Sequence, residues 1–222
     1  MSEAARLPAR IGIVREREAY VVATTGFVRA VEALAGDPRS DVAEGLLERW
    51  REPHRGYHDE RHLAEVLSAV EVLGSRPVTV LAAWYHDAVY EGRPGEDEEA
   101  SARLAEEELA ALGVEEREVA EVARLVRSTA AHELPTDGDS DEAVLHDADL
   151  WILATPAERF DEYCSDVRRE YAHVDDADYR RGRTAVLTPF VTRPRLYATE
   201  HAHELWTDAA RDNLRRELGR LR

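Results

Sequence analysis

The sequence predicts an all-α fold: a single helical-bundle domain with additional helices at its C-terminal end. Apolar residues recur at three- and four-residue spacings through nearly the whole chain of 222 residues, the period of a helix with one buried face. No stretch alternates apolar and polar residues as a half-buried strand would. Glycine or proline interrupts the periodic runs at short intervals, and no repeat, low-complexity tract or linker divides the chain.

Residues 1–18 mix charged and apolar side chains and are expected to be partly disordered, which leaves 19–222 as the domain. In 19–35, Tyr20, Val21, Phe27, Val28, Val31 and Leu34 follow the helical period, and Gly36-Asp37-Pro38 ends the run. A second helix over 41–51 stops before Pro53. The segment 58–73 places Leu63, Val66, Leu67, Val70 and Leu73 on one stripe, with His62 at its edge. Gly74 and Pro77 then punctuate. Residues 78–90 are more continuously apolar, as in a central buried helix, and His86 and Asp87 fall near its C-terminal end. A Gly- and Pro-containing loop leads to an acidic cluster that suits the start of a helix over 98–112. Helices follow over 116–131 and 141–154, separated by the loop from Leu134 to Asp139. The periods of 157–172, 176–191 and 199–220 complete the set. Thr188-Pro189 and Arg193-Pro194 mark places where this last part kinks or ends.

The net charge is −17, from 46 acidic against 29 basic residues. It argues against nucleic acid and anionic membrane surfaces as partners. An anionic substrate then needs a local metal or arginine cluster. All the basic residues are arginine, which excludes a P-loop lysine and Schiff-base or pyridoxal-phosphate chemistry. One cysteine, Cys164, excludes an internal disulfide framework, and its acidic neighbours disfavour a thiolate. It reads as a packed residue. No apolar run is long enough to span a membrane, and the N-terminus lacks the apolar core of a signal peptide. The expected location is the cytoplasm. A His-Glu-x-x-His protease motif and a Gly-rich dinucleotide fingerprint are both missing.

The chemistry-bearing residues fall in three helical stretches. Tyr57-His58-Asp59-Glu60-Arg61-His62 puts two histidines at i and i+4, on one face of a helix. Trp84-Tyr85-His86-Asp87 holds a His-Asp doublet, and His146-Asp147-Ala148-Asp149-Leu150 offers a third group. Taken singly, a histidine on an amphipathic helix is more often a satisfied, partly buried imidazole. The three elements together suit a divalent-metal site assembled by folding. Imidazole and carboxylate donors fit an octahedral ion such as manganese, iron, cobalt, nickel or magnesium better than a closed structural zinc.

The order His … His-Asp … Asp resembles the HD-domain superfamily of metal-dependent phosphohydrolases. It is carried by His62-Leu63-Ala64-Glu65-Val66, by His86-Asp87 and by Ala148-Asp149-Leu150. Most of the chain is similar to a bacterial family of metal-dependent HD-superfamily phosphohydrolases. The residues of this narrower likeness include Trp84-Tyr85-His86-Asp87-Ala88-Val89-Tyr90, Thr129-x-x-His132, Arg168-x-Glu170-Tyr171 and Gly182-Arg183. By this resemblance the metal ligands are His62, His86, Asp87 and Asp149. Tyr57-His58-x-x-x-His62 also resembles an element of cyclic-nucleotide phosphodiesterases, in which the first histidine donates a proton to the leaving oxygen. Position 59 is Asp here, where those enzymes have Asn.

The resemblance implies hydrolysis of a phosphate ester: a nucleotide, a phosphodiester or a small phosphomonoester. Asp87 both binds metal and orients water, and His58 acts as general acid. His132 is a candidate for a second metal. His146 and Asp147 are candidates for orienting the ligands. Arg168, Tyr171 and Arg183 are candidates for holding phosphate. A metal- and ligand-binding sensing module with little or no turnover is the rival reading. A di-iron oxygenase needs more histidines than lie between His86 and Asp149.

Overall fold

A computed structural model describes residues 16–36, 41–74 and 76–222, and among them there are helices and no strand. The expectation for 1–18 lies mostly outside the described residues; 16–18 begin a helix. The α-helices are α1 (Glu16–Ala35), α2 (Asp41–Trp50), α3 (Glu60–Leu73), α4 (Pro77–Tyr85), α5 (Glu96–Ala111), α6 (Glu116–Ser128), α7 (Asp141–Asp149), α8 (Ala157–Glu170), α9 (Asp176–Thr192) and α10 (Glu200–Arg220).

The centre of the bundle is α4. It starts on Pro77, whose fixed φ suits a first helical position. Its Leu81, Ala82, Ala83, Trp84 and Tyr85 are fully buried. Such a helix must be surrounded, and α1, α3, α5, α6 and α7 pack around it. The small Ala82 and Ala83 let neighbours approach, and the large rings fill the remaining gaps. Phe27 of α1 meets Trp84 edge-on at 5.2 Å. The indole of Trp50 donates to the Trp84 carbonyl at 3.1 Å, tying the end of α2 to α4. The C-terminal helix α10 packs against α8, α9 and the turn at 150–154. There Asn213 donates to the Leu153 and Thr155 carbonyls at 2.9 and 2.8 Å.

Helices α3, α4, α6 and α7 are shorter than the period predicts, α3 at its start and the others at their ends. Asp59 caps α3, accepting from the Arg61 and His62 amides. His58 therefore lies in the turn before the helix, which corrects the expectation of two histidines on one helical face. The run 78–90 is helical only to Tyr85, because the carbonyls of Asp87 and Ala88 turn aside to accept from Arg55. The stretch 116–131 tightens into a 3-10 turn at Thr129–Ala131, after which His132 adopts φ 46° and ψ 38°. A left-handed histidine is uncommon. Helix α7 ends at Asp149, and Leu150–Ala154 form a second 3-10 turn. Pro189 sits inside α9, and that helix ends before Arg193-Pro194.

Candidate metal centre and its cavity

Three elements bring the donors together. His62 stands on the first turn of α3, His86 caps the end of α4 with Asp87 following it, and Asp149 ends α7. The two imidazole Nε2 atoms are 3.1 Å apart. Asp87 Oδ2 lies 3.2 Å from His86 Nε2 and 3.7 Å from His62 Nε2. Asp149 Oδ1 lies 3.3 Å from His62 Nε2 and 3.7 Å from His86 Nε2. His62, His86 and Asp87 form a group that can hold a metal ion.

The donor chemistry fits a cation. His86 Nδ1 lies 2.8 Å from the Ala83 carbonyl, which can only accept. Nδ1 therefore carries the hydrogen, and Nε2 of the neutral ring presents a lone pair to the other donors. Asp87 and Asp149 both approach the paired imidazoles with little exposure to water, Asp149 from outside the group of His62, His86 and Asp87 whose donor atoms lie mutually close. Charge buried in this way must be paired. Protons meet that demand in the metal-free chain. Burial lowers the His86 pKa, but Asp87 and Asp149 outweigh it and the value is pushed up to about 9. Burial likewise pushes the carboxyls up. The imidazoles outweigh it, His86 foremost for Asp87 and His62 for Asp149, and both acids stay ionised well below the ordinary range.

Beside this centre lies a second constellation. His58 Nδ1 is 2.9 Å from Glu170 Oε2, and Tyr90 donates to the same oxygen at 3.1 Å. The other oxygen, Oε1, accepts from the backbone amides of Gly56, Tyr57 and His58 at 2.8–2.9 Å. The carboxylate thus fixes the turn and, through Nδ1–H, leaves His58 Nε2 free to carry a second proton. Burial depresses the His58 pKa; the Glu170 hydrogen bond, followed by the charges of Asp87, Glu170 and Asp149, raises it above the ordinary value. The ring also stacks on Tyr90 at 4.3 Å. Glycine is required at position 56, because a Cβ there would meet the Asp166 carbonyl at 2.6 Å.

Arg55 locks the two constellations in register. Its buried guanidinium donates to the carbonyls of His58, Asp87 and Ala88 at 2.9, 2.8 and 3.2 Å. It lies over the rings of Trp50 and Tyr90. Sequence reasoning missed Arg55 and the role of Glu170. Glu170 reaches back 112 residues to His58, and no local pattern marks that contact.

Asp87 and Asp149 open on a cavity of about 710 Å³ that is also lined by His58, Tyr90, His132, Tyr163, Tyr171, Tyr179 and Arg183, among others. His132 Nδ1 is 3.5 Å from Asp149 Oδ2, on the opposite carboxylate oxygen from the one near His62. Arg168 does not line the cavity. It donates to the Tyr171 and Val174 carbonyls and to Asp176. His146 and Asp147 play another part than orienting ligands. Asp147 accepts from the Ala198 and Thr199 amides, from the Thr199 hydroxyl and from His146 Nδ1, which fastens α7 to the start of α10. Glu98 closes the Gly95 amide and also borders the cavity, whereas Glu99 pairs with Arg103 and Arg127. Cys164 is buried, and burial pushes its thiol up to about 12. No helix among the described residues is long and apolar enough to cross a membrane.

No family model, curated protein or solved structure matches the chain.

Proposed function

We propose that the protein is a metal-dependent phosphohydrolase of the HD type, with His62, His86, Asp87 and Asp149 as metal ligands. One observation carries the reading. Two buried imidazoles meet the Asp87 carboxylate at the wall of a ligand-sized cavity, with Asp149 3.3 Å from His62, beside a histidine that Glu170 holds with one nitrogen free. A divalent ion held there supplies Lewis acidity, which acidifies water and polarises a phosphoryl oxygen.

The chain's own residues do the remainder. Asp87 and Asp149 would supply the negative field that retains the cation, and their free oxygens would accept hydrogen bonds from the attacking water. Burial lowers the His58 pKa, but the Glu170 hydrogen bond and the neighbouring carboxylates raise it above the ordinary value, which favours a proton on Nε2. It hands that proton to the leaving oxygen, and Glu170 stabilises the ring through the exchange. The Tyr57 hydroxyl is buried with no hydrogen-bond partner and borders the cavity. Burial pushes its pKa well up, so it remains a neutral donor for a phosphoryl oxygen. Arg55 holds the turns that carry His58 and Asp87 at a fixed separation.

The test is metal analysis of the purified protein, then a phosphoester screen with the metal found. Turnover that a chelator abolishes and the metal restores is expected. A metal-loaded protein that hydrolyses no phosphate ester would favour the sensing module.

A further inference from the structure

The cavity is far larger than one phosphoryl group needs, and a volume of this order accommodates a drug-sized ligand. Away from the metal centre its walls are apolar and aromatic, with Val167, Tyr171, Val174, Leu187 and Phe190 among them. Among the described residues two cations stand in that wall without an acidic partner, Arg183 and Arg193, and Arg193 spends its Nη1 and Nη2 atoms on the His132 and Leu196 carbonyls. Arg183 on α9 takes part in no ion pair, and its Nε and Nη2 atoms are buried with no hydrogen-bond acceptor. One turn earlier on the same face, the Tyr179 hydroxyl is also buried and unpartnered.

The other charges nearby are engaged. Arg168 lies over the Tyr179 ring at 4.7 Å, but its nitrogens are taken by carbonyls and Asp176. Asp178 pairs with Arg181. Glu217, which acts on Tyr179 and Cys164, lies 3.7 Å from Arg220. Unpaired buried donors are costly and rare in folded proteins. Here they sit side by side at a cavity wall, one of them carrying full charge.

These donors are set apart from the metal ligands. The Arg183 guanidinium lies over the Tyr163 ring at 4.8 Å. Tyr163 packs on Tyr57 at 4.6 Å, and Tyr57 packs on His62 at 4.7 Å. Two aromatic rings thus lie along the path from His62 to Arg183. The geometry points to a second anion subsite, formed by Arg183 and Tyr179, that holds an acidic group of the substrate other than the one hydrolysed. The substrate is then a phosphate monoester whose apolar body carries a second phosphate or carboxylate at its far end. The inference rests on the hydrolase reading for the first phosphate only.

The experiment reads binding rather than turnover. The metal-loaded protein is titrated with non-hydrolysable alkane-α,ω-bisphosphonates, from propane to octane, and with the matching alkylmonophosphonates. At one chain length the bisphosphonate should bind roughly tenfold to a hundredfold tighter than its partner, the worth of one or two charge-assisted hydrogen bonds. R183Q should bring that ratio to about one, and Y179F, which keeps the ring, should cut it roughly twofold to tenfold. R180Q, at an exposed position of α9 with no ion pair among the described residues, should leave it as in the wild type. A series in which no length exceeds its monophosphonate overturns the subsite. So does a ratio that survives both R183Q and Y179F, or an R183Q protein that weakens both ligands equally, since Arg183 then serves the group at the metal. Should R183Q not fold, Y179F decides alone. An intact ratio in a protein that hydrolyses nothing refutes the hydrolase and keeps the subsite.

Discussion

Replacing Glu170 separates its two oxygens, one structural and one chemical. In E170Q the amide oxygen can still accept from the Gly56, Tyr57 and His58 amides, so the turn keeps its hydrogen bonds. The amide nitrogen then faces His58 Nδ1, which must become an acceptor to meet a donor. That change removes the leading influence raising the His58 pKa. On a substrate with a poor leaving group, kcat should fall roughly 10²–10⁴-fold, the range for losing a positioned acid. A nitrophenyl phosphate, whose leaving oxygen scarcely needs a proton, should lose much less. The sign of the pH effect follows from the direction of the shift. The general acid works while His58 is protonated, so activity declines as pH rises through its folded pKa. Lowering that pKa moves the alkaline limb of the kcat profile toward lower pH. E170A goes further, leaving three backbone amides without an acceptor. At about 1–3 kcal/mol for each buried donor, the loss is about 3–9 kcal/mol, a large part of a domain's stability. The assays are pH–rate profiles on both substrates and denaturant unfolding of both variants. An E170Q enzyme with equal losses on both substrates and an unshifted alkaline limb would refute the acid role of His58.

Other consequences are open to measurement. H58A should keep near-normal metal content while losing turnover on alkyl phosphates, and metal loss equal to that of H62A would make His58 a ligand instead. G56A should destabilise the fold by about 1–3 kcal/mol, because its Cβ meets the Asp166 carbonyl and the chain must shift; an unfolding midpoint equal to wild type would contradict this. The metal-free protein should lose stability as pH rises from near 6.5 through about 9, by up to about 3 kcal/mol. The raised His86 pKa contributes below that window and is lost through it. The metal-bound protein should trend the opposite way, since deprotonated ligands bind metal more tightly; parallel thermal shifts of the two forms would count against the site.

How much of this was legible in the sequence depends on the range of each interaction. The helices were readable because their apolar stripes are local, and α3 through α10 fall within a few residues of the periods. Their ends were less so. Asp59 as a cap placed His58 outside α3, and the turn after Tyr85 depends on Arg55, which no periodicity marks. The residue types of the metal group stood out, since imidazoles and carboxylates on separate amphipathic helices need a common purpose. Their convergence required the packing of α3, α4 and α7. Glu170 and Asp147 show the limit. Each is one acid among 46 in the sequence, and what distinguishes it is a set of backbone amides far along the chain.

The most direct test of the central claim is the metal content per chain of the wild type and of H62A, H86A, D87A and D149A, with H201A as an exposed control. The account predicts at least one tightly bound divalent ion in the wild type and in H201A. Each of the four ligand variants should lose it along with the thermal stabilisation that the ion confers. A wild type that retains no divalent ion, or a D87A protein that retains as much as the wild type, would contradict it.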